Sequence, residues 1–215
     1  MMTHLRIASV FTLSLAALIG CGDDAAGTDG GVTADTGVAA TDSGVTADSG
    51  VAAVSCDDYC TKVMANCTGN LAQYSSLDAC KKSCAAFPVG MAADTSGNTQ
   101  GCRQYHAGAA MANPALHCGH AGPSGAGVCG TPCQGFCSIQ AAACTGALDQ
   151  GYGMDAACNT ACTTAFGNSM GTYSATVTGG NSLACRLYHL TVAASSAANA
   201  TLHCPHTATV SATCN

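Results

Sequence analysis

The stretch Cys102-Arg103-Gln104-Tyr105-His106, followed by Leu116-His117-Cys118-Gly119-His120 and then Cys129, is answered later in the same chain. The second version reads Cys185-Arg186-Leu187-Tyr188-His189, then Leu202-His203-Cys204-Pro205-His206, then Cys214. Five further cysteines precede each block in matching order. They are Cys56, Cys60, Cys67, Cys80 and Cys84 before the first, and Cys133, Cys137, Cys144, Cys158 and Cys162 before the second. The chain therefore holds one eight-cysteine module twice, at 56–130 and 131–215. It has 215 residues and 17 Cys, close to the density of a disulfide scaffold. There are only six Tyr, four Phe and no Trp, and much of the hydrophobic share is Ala. Modules of about 80 residues with so little bulk cannot rely on a large apolar core, so cross-links must supply stability. Each disulfide typically adds about 2–4 kcal/mol. Such a framework belongs in an oxidising compartment.

The spacing reads as helical. Cys56-x3-Cys60-x6-Cys67 returns to nearly one face of a helix. Ser55 can cap its start, Asp57 and Asp58 suit its first turn, and Thr68-Gly69 ends it. A second helix starts at Ser75 or Ser76, carries Cys80-x3-Cys84 and stops at Phe87-Pro88. A loop over 89–97 leads to a third helix, from Asn98-Thr99 to Asn113-Pro114, bearing Cys102, Arg103, Tyr105 and His106. The Gly- and Pro-rich stretch from Leu116 to Cys129 reads as an irregular tail. In the second copy, Thr131-Pro132 opens the first helix and Phe166-Gly167 ends the second. A longer loop then runs to Gly180, and a third helix runs from Asn181-Ser182 to about Asn199. The expected fold class is mainly α: two tandem, small, disulfide-stapled modules of two hairpin helices, a third helix and an irregular tail.

Two helices each bearing Cys-x3-Cys resemble the twin Cys-x3-Cys helical hairpin. That resemblance implies pairing of Cys60 with Cys80 and Cys56 with Cys84; spacing alone leaves the 105 pairings of eight cysteines open. At the amino terminus, His4 and Arg6 precede an uncharged run that ends in Leu18-Ile19-Gly20-Cys21. The run is too short for a comfortable membrane span and fits a signal-peptide core. Its end resembles the bacterial lipobox, which implies a signal peptide over 1–20, cleavage before Cys21 and lipid attachment on it. Setting Cys21 aside leaves sixteen cysteines, eight per module. Residues 22–55 are built from Gly, Ala, Thr, Ser, Val and Asp, too poor in apolar bulk to offset ordering entropy. Residues 21–55 thus read as a lipidated Cys plus a disordered, mildly acidic tether, its ends roughly 30 Å apart. The whole resembles the cysteine-rich, tandem-module lipoproteins of Gram-negative bacteria such as myxobacteria. It implies a lipid-anchored place in the cell envelope, periplasmic or surface-exposed, with the membrane as partner through the anchor.

The net charge of −6 is concentrated outside the modules. There is no Glu, and six of the twelve Asp lie between Asp23 and Asp48. From Cys56 onward six Asp face Lys62, Lys81, Lys82, Arg103 and Arg186, so the modules are nearly neutral and offer nucleic acid no basic patch. Paired carboxylates at matched positions are missing, as are a nucleophile motif such as Gly-x-Ser-x-Gly and a glycine-rich nucleotide loop after a strand. An enzyme is therefore not expected.

The sharpest clue is histidine. All six His of the modules are matched: His106 with His189, His117 with His203, His120 with His206. Most other polar positions change; Lys62, Lys81 and Lys82 face Ile139, Asn159 and Thr160. Such histidines can be structural, capping carbonyls or packing beside disulfides. They can also be ligands. His-x2-His in a tight turn aims two imidazoles at one point, and a third arrives from a rigid helix four residues after a cross-linked Cys. Three imidazoles suit Zn²⁺ or Cu²⁺. Cys118 and Cys204 would add to such a site only as free thiols, which the even cysteine count argues against. The expected function is a non-enzymatic structural or binding role in the envelope, with no protein partner named. The alternative is a Cu- or Zn-binding protein with one three-histidine site per module.

Overall fold

The computed structural model describes residues 53–167 and 173–215. The signal segment over 1–20, Cys21 and nearly all of the tether lie outside the described residues. Among the described residues there are eight α-helices, a few short 3-10 turns and no strand.

The first module begins with α1 (Cys56–Asn66), capped by the Ser55 hydroxyl, and α2 (Leu77–Cys84), capped by Ser76. Disulfides Cys56–Cys84 and Cys60–Cys80 staple them outer to outer and inner to inner, the pairing that the twin Cys-x3-Cys resemblance implies. Next comes α3 (Gln100–Ala109), capped by Thr99. The second module repeats the plan with α5 (Pro132–Ala143) and α6 (Asp155–Phe166), stapled by Cys133–Cys162 and Cys137–Cys158. Thr131 and Gln134 form a full capping box at the start of α5, two orphan donors satisfied reciprocally.

Three expectations are corrected. The stretch after Asn113 is not an irregular tail: it opens with α4 (Pro114–Ala121). The third helix also stops at Ala109, short of the expected Asn113-Pro114; Asn113 instead caps α4 through its side chain and Pro114 takes the first helical position, where a missing N–H costs nothing. In the second copy the helix does not run to Asn199. It stops as α7 (Leu183–Ala194), and Ser196 caps a separate α8 (Ala197–His203), followed by a 3-10 turn over Cys204–Thr207. Serine side chains compete for backbone groups, and here they divide the expected long helix.

The remaining disulfides also match between copies. Cys67–Cys118 and Cys144–Cys204 tie the end of the first helix of each module to the fourth. Cys102–Cys129 and Cys185–Cys214 tie the third helix to the module's tail. All sixteen module cysteines are thus cross-linked.

Each tail is further held by a fully buried arginine. Arg103 donates to the carbonyls of Gly122 and Thr99 and to Asn98 Oδ1, and its guanidinium lies 3.5 Å from the Phe87 ring centroid. Arg186 donates to the carbonyls of Ala208, Ser182, Thr209 and Cys214 and sits 4.4 Å over Phe166. Burial pulls Arg103 down to about 10, so it stays charged near neutrality and its hydrogen bonds are of the stronger, charge-assisted kind.

The two modules share packing. Phe87, just after α2, belongs to the apolar core of the second module with Phe136, Ile139, Tyr152 and Leu187. The first module packs Tyr59, Val63, Tyr74 and Ala107 among its disulfides. No described helix is long and apolar enough to cross a membrane.

Candidate metal centres

In each module the three matched histidines meet. The third helix supplies one: His106 on α3 and His189 on α7, each only 6% exposed. The other two come from the next helix. His117 and His120 are three residues apart on α4, hence on one face. His203 is the last residue of α8, and His206 lies in the 3-10 turn that contains Pro205. The disulfides Cys67–Cys118 and Cys144–Cys204 leave from between the paired histidines and fix that segment to the first helix.

The nitrogens converge. His106 Nδ1 lies 2.9 Å from His117 Nδ1, and the ring centroids of the trio are 4.9–6.0 Å apart. His189 Nδ1 lies 2.9 Å from His203 Nδ1 and 3.2 Å from His206 Nδ1, with centroids 4.6–5.4 Å apart. Within each trio one nitrogen per ring lies within 4.8 Å of the other two. Three nitrogens bound tetrahedrally at about 2.0–2.1 Å would stand about 3.3 Å apart.

A backbone carbonyl sets the tautomer behind each trio. His106 Nε2 is 3.1 Å from Thr95 O, and His189 Nε2 is 3.2 Å from Thr178 O. A carbonyl only accepts, so each Nε2 carries the hydrogen and each Nδ1 presents a lone pair to the cluster. In the second module one lone pair then faces two further ring nitrogens, and it cannot accept two well-aligned hydrogen bonds. In the first module His120 Nδ1 is buried with no hydrogen-bond partner among the described residues. In both arrangements one ring nitrogen is left without a well-aligned hydrogen-bond partner. A cation among them would satisfy all three. An N–H donated outward to a carbonyl is also how metal-bound imidazoles are ordinarily oriented.

Electrostatics favour the neutral rings that a metal needs. Burial, only partly offset by the Thr95 hydrogen bond, holds His106 below the ordinary histidine value. Burial and the neighbouring rings lower His120, and burial with His206 lowers His203. His189 is pushed furthest, to about 4, chiefly by burial. Disulfides Cys102–Cys129 and Cys185–Cys214 lie beside His106 and His189, but their sulfurs are spent in S–S bonds and are not thiolate ligands. No carboxylate joins either trio among the described residues. The donor set is therefore three imidazoles, which fits Cu²⁺ or Zn²⁺ better than a hard cation such as Mg²⁺.

All six histidines singled out in the sequence are brought together, three per module. The carbonyls of Thr95 and Thr178 were missed. Their one signal was positional, since each lies eleven residues before the histidine that it holds.

This chain is similar to a recognised family over residues 32–135, where the BfoA family C-terminal domain matches. The match takes in the first module, with its histidine trio, and the start of α5. An Aspergillus niger protein named "Aurasperone B biosynthesis cluster protein A" is 39% identical over 64 residues, which is 29% of this chain and 21% of that protein. The aligned part thus spans well under two thirds of the curated relative's length. No solved structure matches.

Proposed function

We propose that this protein binds a transition-metal ion, Cu²⁺ or Zn²⁺, at one three-histidine centre in each module. One observation carries the reading: three ring nitrogens converge twice, at matched positions, and in both trios a backbone carbonyl turns the Nδ1 lone pair of the most buried ring inward. His106, His117 and His120 would hold one ion, and His189, His203 and His206 the other. A bound ion would supply positive charge and, with three protein ligands, a coordination position for a small exogenous ligand. The chain's own residues orient the rings, and among the described residues no carboxylate joins either trio. The role is binding, in an oxidising extracytoplasmic setting that eight disulfides support. Lipid attachment on Cys21 in a bacterial envelope rests on the Leu18-Ile19-Gly20-Cys21 motif and would be read by mass spectrometry of the mature amino terminus.

A purely structural role is the competing reading, and the histidine-to-carbonyl bonds favour it because they tie each third helix to its preceding loop. Metal analysis and Cu²⁺ titration of the oxidised protein separate the two. Binding predicts about two equivalents, one lost in His106→Ala, one in His189→Ala and both in the double variant. Absence of uptake by the parent protein, with stability lost in the same variants, would leave the histidines structural.

A further inference from the structure

The two carbonyls that set the histidine tautomers are held in different ways. Thr95 O belongs to a loop braced mainly within the first module, with one link to the second, Asn98 Nδ2 to Ser138 Oγ at 3.0 Å. Asp94 Oδ2 accepts from Met91 N at 2.9 Å and from Thr99 Oγ1 at 3.0 Å, and Gly97 N donates to Val128 O at 2.9 Å. Asp94 thereby links the loop to the cap of α3, the helix that carries His106.

Thr178 O belongs to the corresponding loop of the second module, where no such carboxylate exists. Val177 stands one residue before Thr178, as Asp94 stands before Thr95, and its side chain packs on the apolar core. The loop has short internal bonds, Ser174 Oγ with Thr176 Oγ1 at 3.1 Å and Val177 N to Ser174 O at 3.1 Å. Besides the packing of Tyr173 and Val177 on the second module's core, two hydrogen bonds anchor it to the first module. Ala175 N donates to Ala72 O at 2.6 Å, and Gln73 Nε2 donates to Tyr173 O at 3.3 Å. Gln73 is 1% exposed and its amide also donates to Leu71 O at 2.8 Å, so the side chain is held before it reaches across. Gly122 makes room for it: a Cβ there would collide with Gln73 Oε1.

We infer that Ala72 and Gln73 of the first module are positioning residues of the second metal centre. They hold residues 173–178 so that Thr178 O keeps the hydrogen on His189 Nε2 and the lone pair on Nδ1. The inference rests on the metal-binding reading above and adds that the second centre is not the property of one module. A buried amide spanning two modules orders the loop, the loop orders the carbonyl, and the carbonyl orders the ligand. Groups that orient a ligand in this way typically tune affinity by about 10–100-fold; one step further out, about 3–10-fold is expected.

The test uses the full chain and Cu²⁺ as probe. Each centre is isolated in turn, the second in a His106→Ala background and the first in a His189→Ala background. Gln73→Met, which keeps volume and removes both N–H donors, should weaken Cu²⁺ at the second centre by about 3–10-fold and leave the first within twofold. Asp94→Ala should do the reverse. Ala175→Pro deletes the loop-side donor and serves if Gln73→Met does not fold. A metal-free readout runs in parallel: the His189 Nε2 proton should exchange with solvent faster in Gln73→Met, and the His106 Nε2 proton should not. Unchanged affinity and exchange at the second centre, or equal loss at both centres, overturns the inference. If the parent protein takes up no Cu²⁺, the metal-binding reading falls, and the proton-exchange comparison still decides whether Gln73 positions His189.

Discussion

In the first module His117 and His120 share one turn of α4, with Gly119 in the helix between them. In the second, α8 gives out at His203, and Pro205 accompanies a 3-10 turn that carries His206. The hairpins differ as well. The first carries the ion pairs Asp58–Lys62 and Asp57–Lys81, where the second puts Gln134, Gly135, Ile139 and Asn159, with Ile139 fully buried. Tyr59 reaches Ala121 O in one copy; in the other Phe136 takes its place and Tyr152 reaches Thr207 O instead. Yet the four disulfides, the buried arginine and the converging nitrogens are common to both. What the copies share is what fixes the third and fourth segments against each other. Helix type, surface charge and even the source of a buried hydroxyl vary around that frame, because covalent links tolerate local change that packing alone would not.

The strongest way to break the comparison is to cut a matched disulfide. Replacing Cys67 and Cys118 by Ala, or Cys144 and Cys204, should cost about 2–5 kcal/mol each by denaturant unfolding. Each pair should abolish metal uptake in its own module, and cutting Cys67–Cys118 should at most weaken the second centre through Ala72 and Gln73. Loss of the first centre on cutting Cys144–Cys204 would show that the first site depends on the second module as well. Next in size, Arg186→Met should cost about 3 kcal/mol or more, since it strands three carbonyls at the end of the chain, all previously bonded to a charge. Arg103→Met, with a single tail carbonyl among its three bonds, should cost less. Thermal midpoints would rank them.

Acid should separate the centres further. A histidine held below its unfolded value near 6.5 is neutral in the fold while the unfolded chain takes up a proton, so stability falls as pH drops below that value. For His189 the loss continues to about pH 4 and should reach at most about 3 kcal/mol in metal-free protein. The trend for His106 has the same sign. Titration of the ring protons by NMR should place His189 lower than His106, and Cu²⁺ should leave both centres as the rings protonate. The reverse order would contradict the tighter packing of the second trio. The smallest effect belongs to Lys62→Ala, which removes an exposed ion pair and should change stability by no more than about 0.5 kcal/mol. A larger cost would mean that charge in the first hairpin replaces more than surface decoration.

Much of this was legible because it is local. Ser55, Ser76, Thr99, Thr131 and Ser182 all cap the helices that their positions suggested. The breaks at Pro114 and Ser196 were less legible. A Pro after a helix reads equally as a stop or as the first residue of the next helix, and which applies depends on whether there is a surface for the new helix to pack on. The histidines could be recognised by their matched positions but not joined, since eleven or more residues separate the third-helix ring from its partners in sequence.

The sequence by itself determined the duplicated module, its helical hairpins, its eight cysteines per copy and the six residues able to form a site. All of these follow from spacing, capping and counting within a few turns of chain. Only the tertiary structure decided that three nitrogens meet in each copy, that Thr95 and Thr178 set their tautomers through main-chain oxygens, and that Gln73 of one module braces a loop of the other. Carbonyl groups carry no side-chain signature, and a distance between two segments is fixed by the cross-links and buried arginines that pack them together, not by either segment alone.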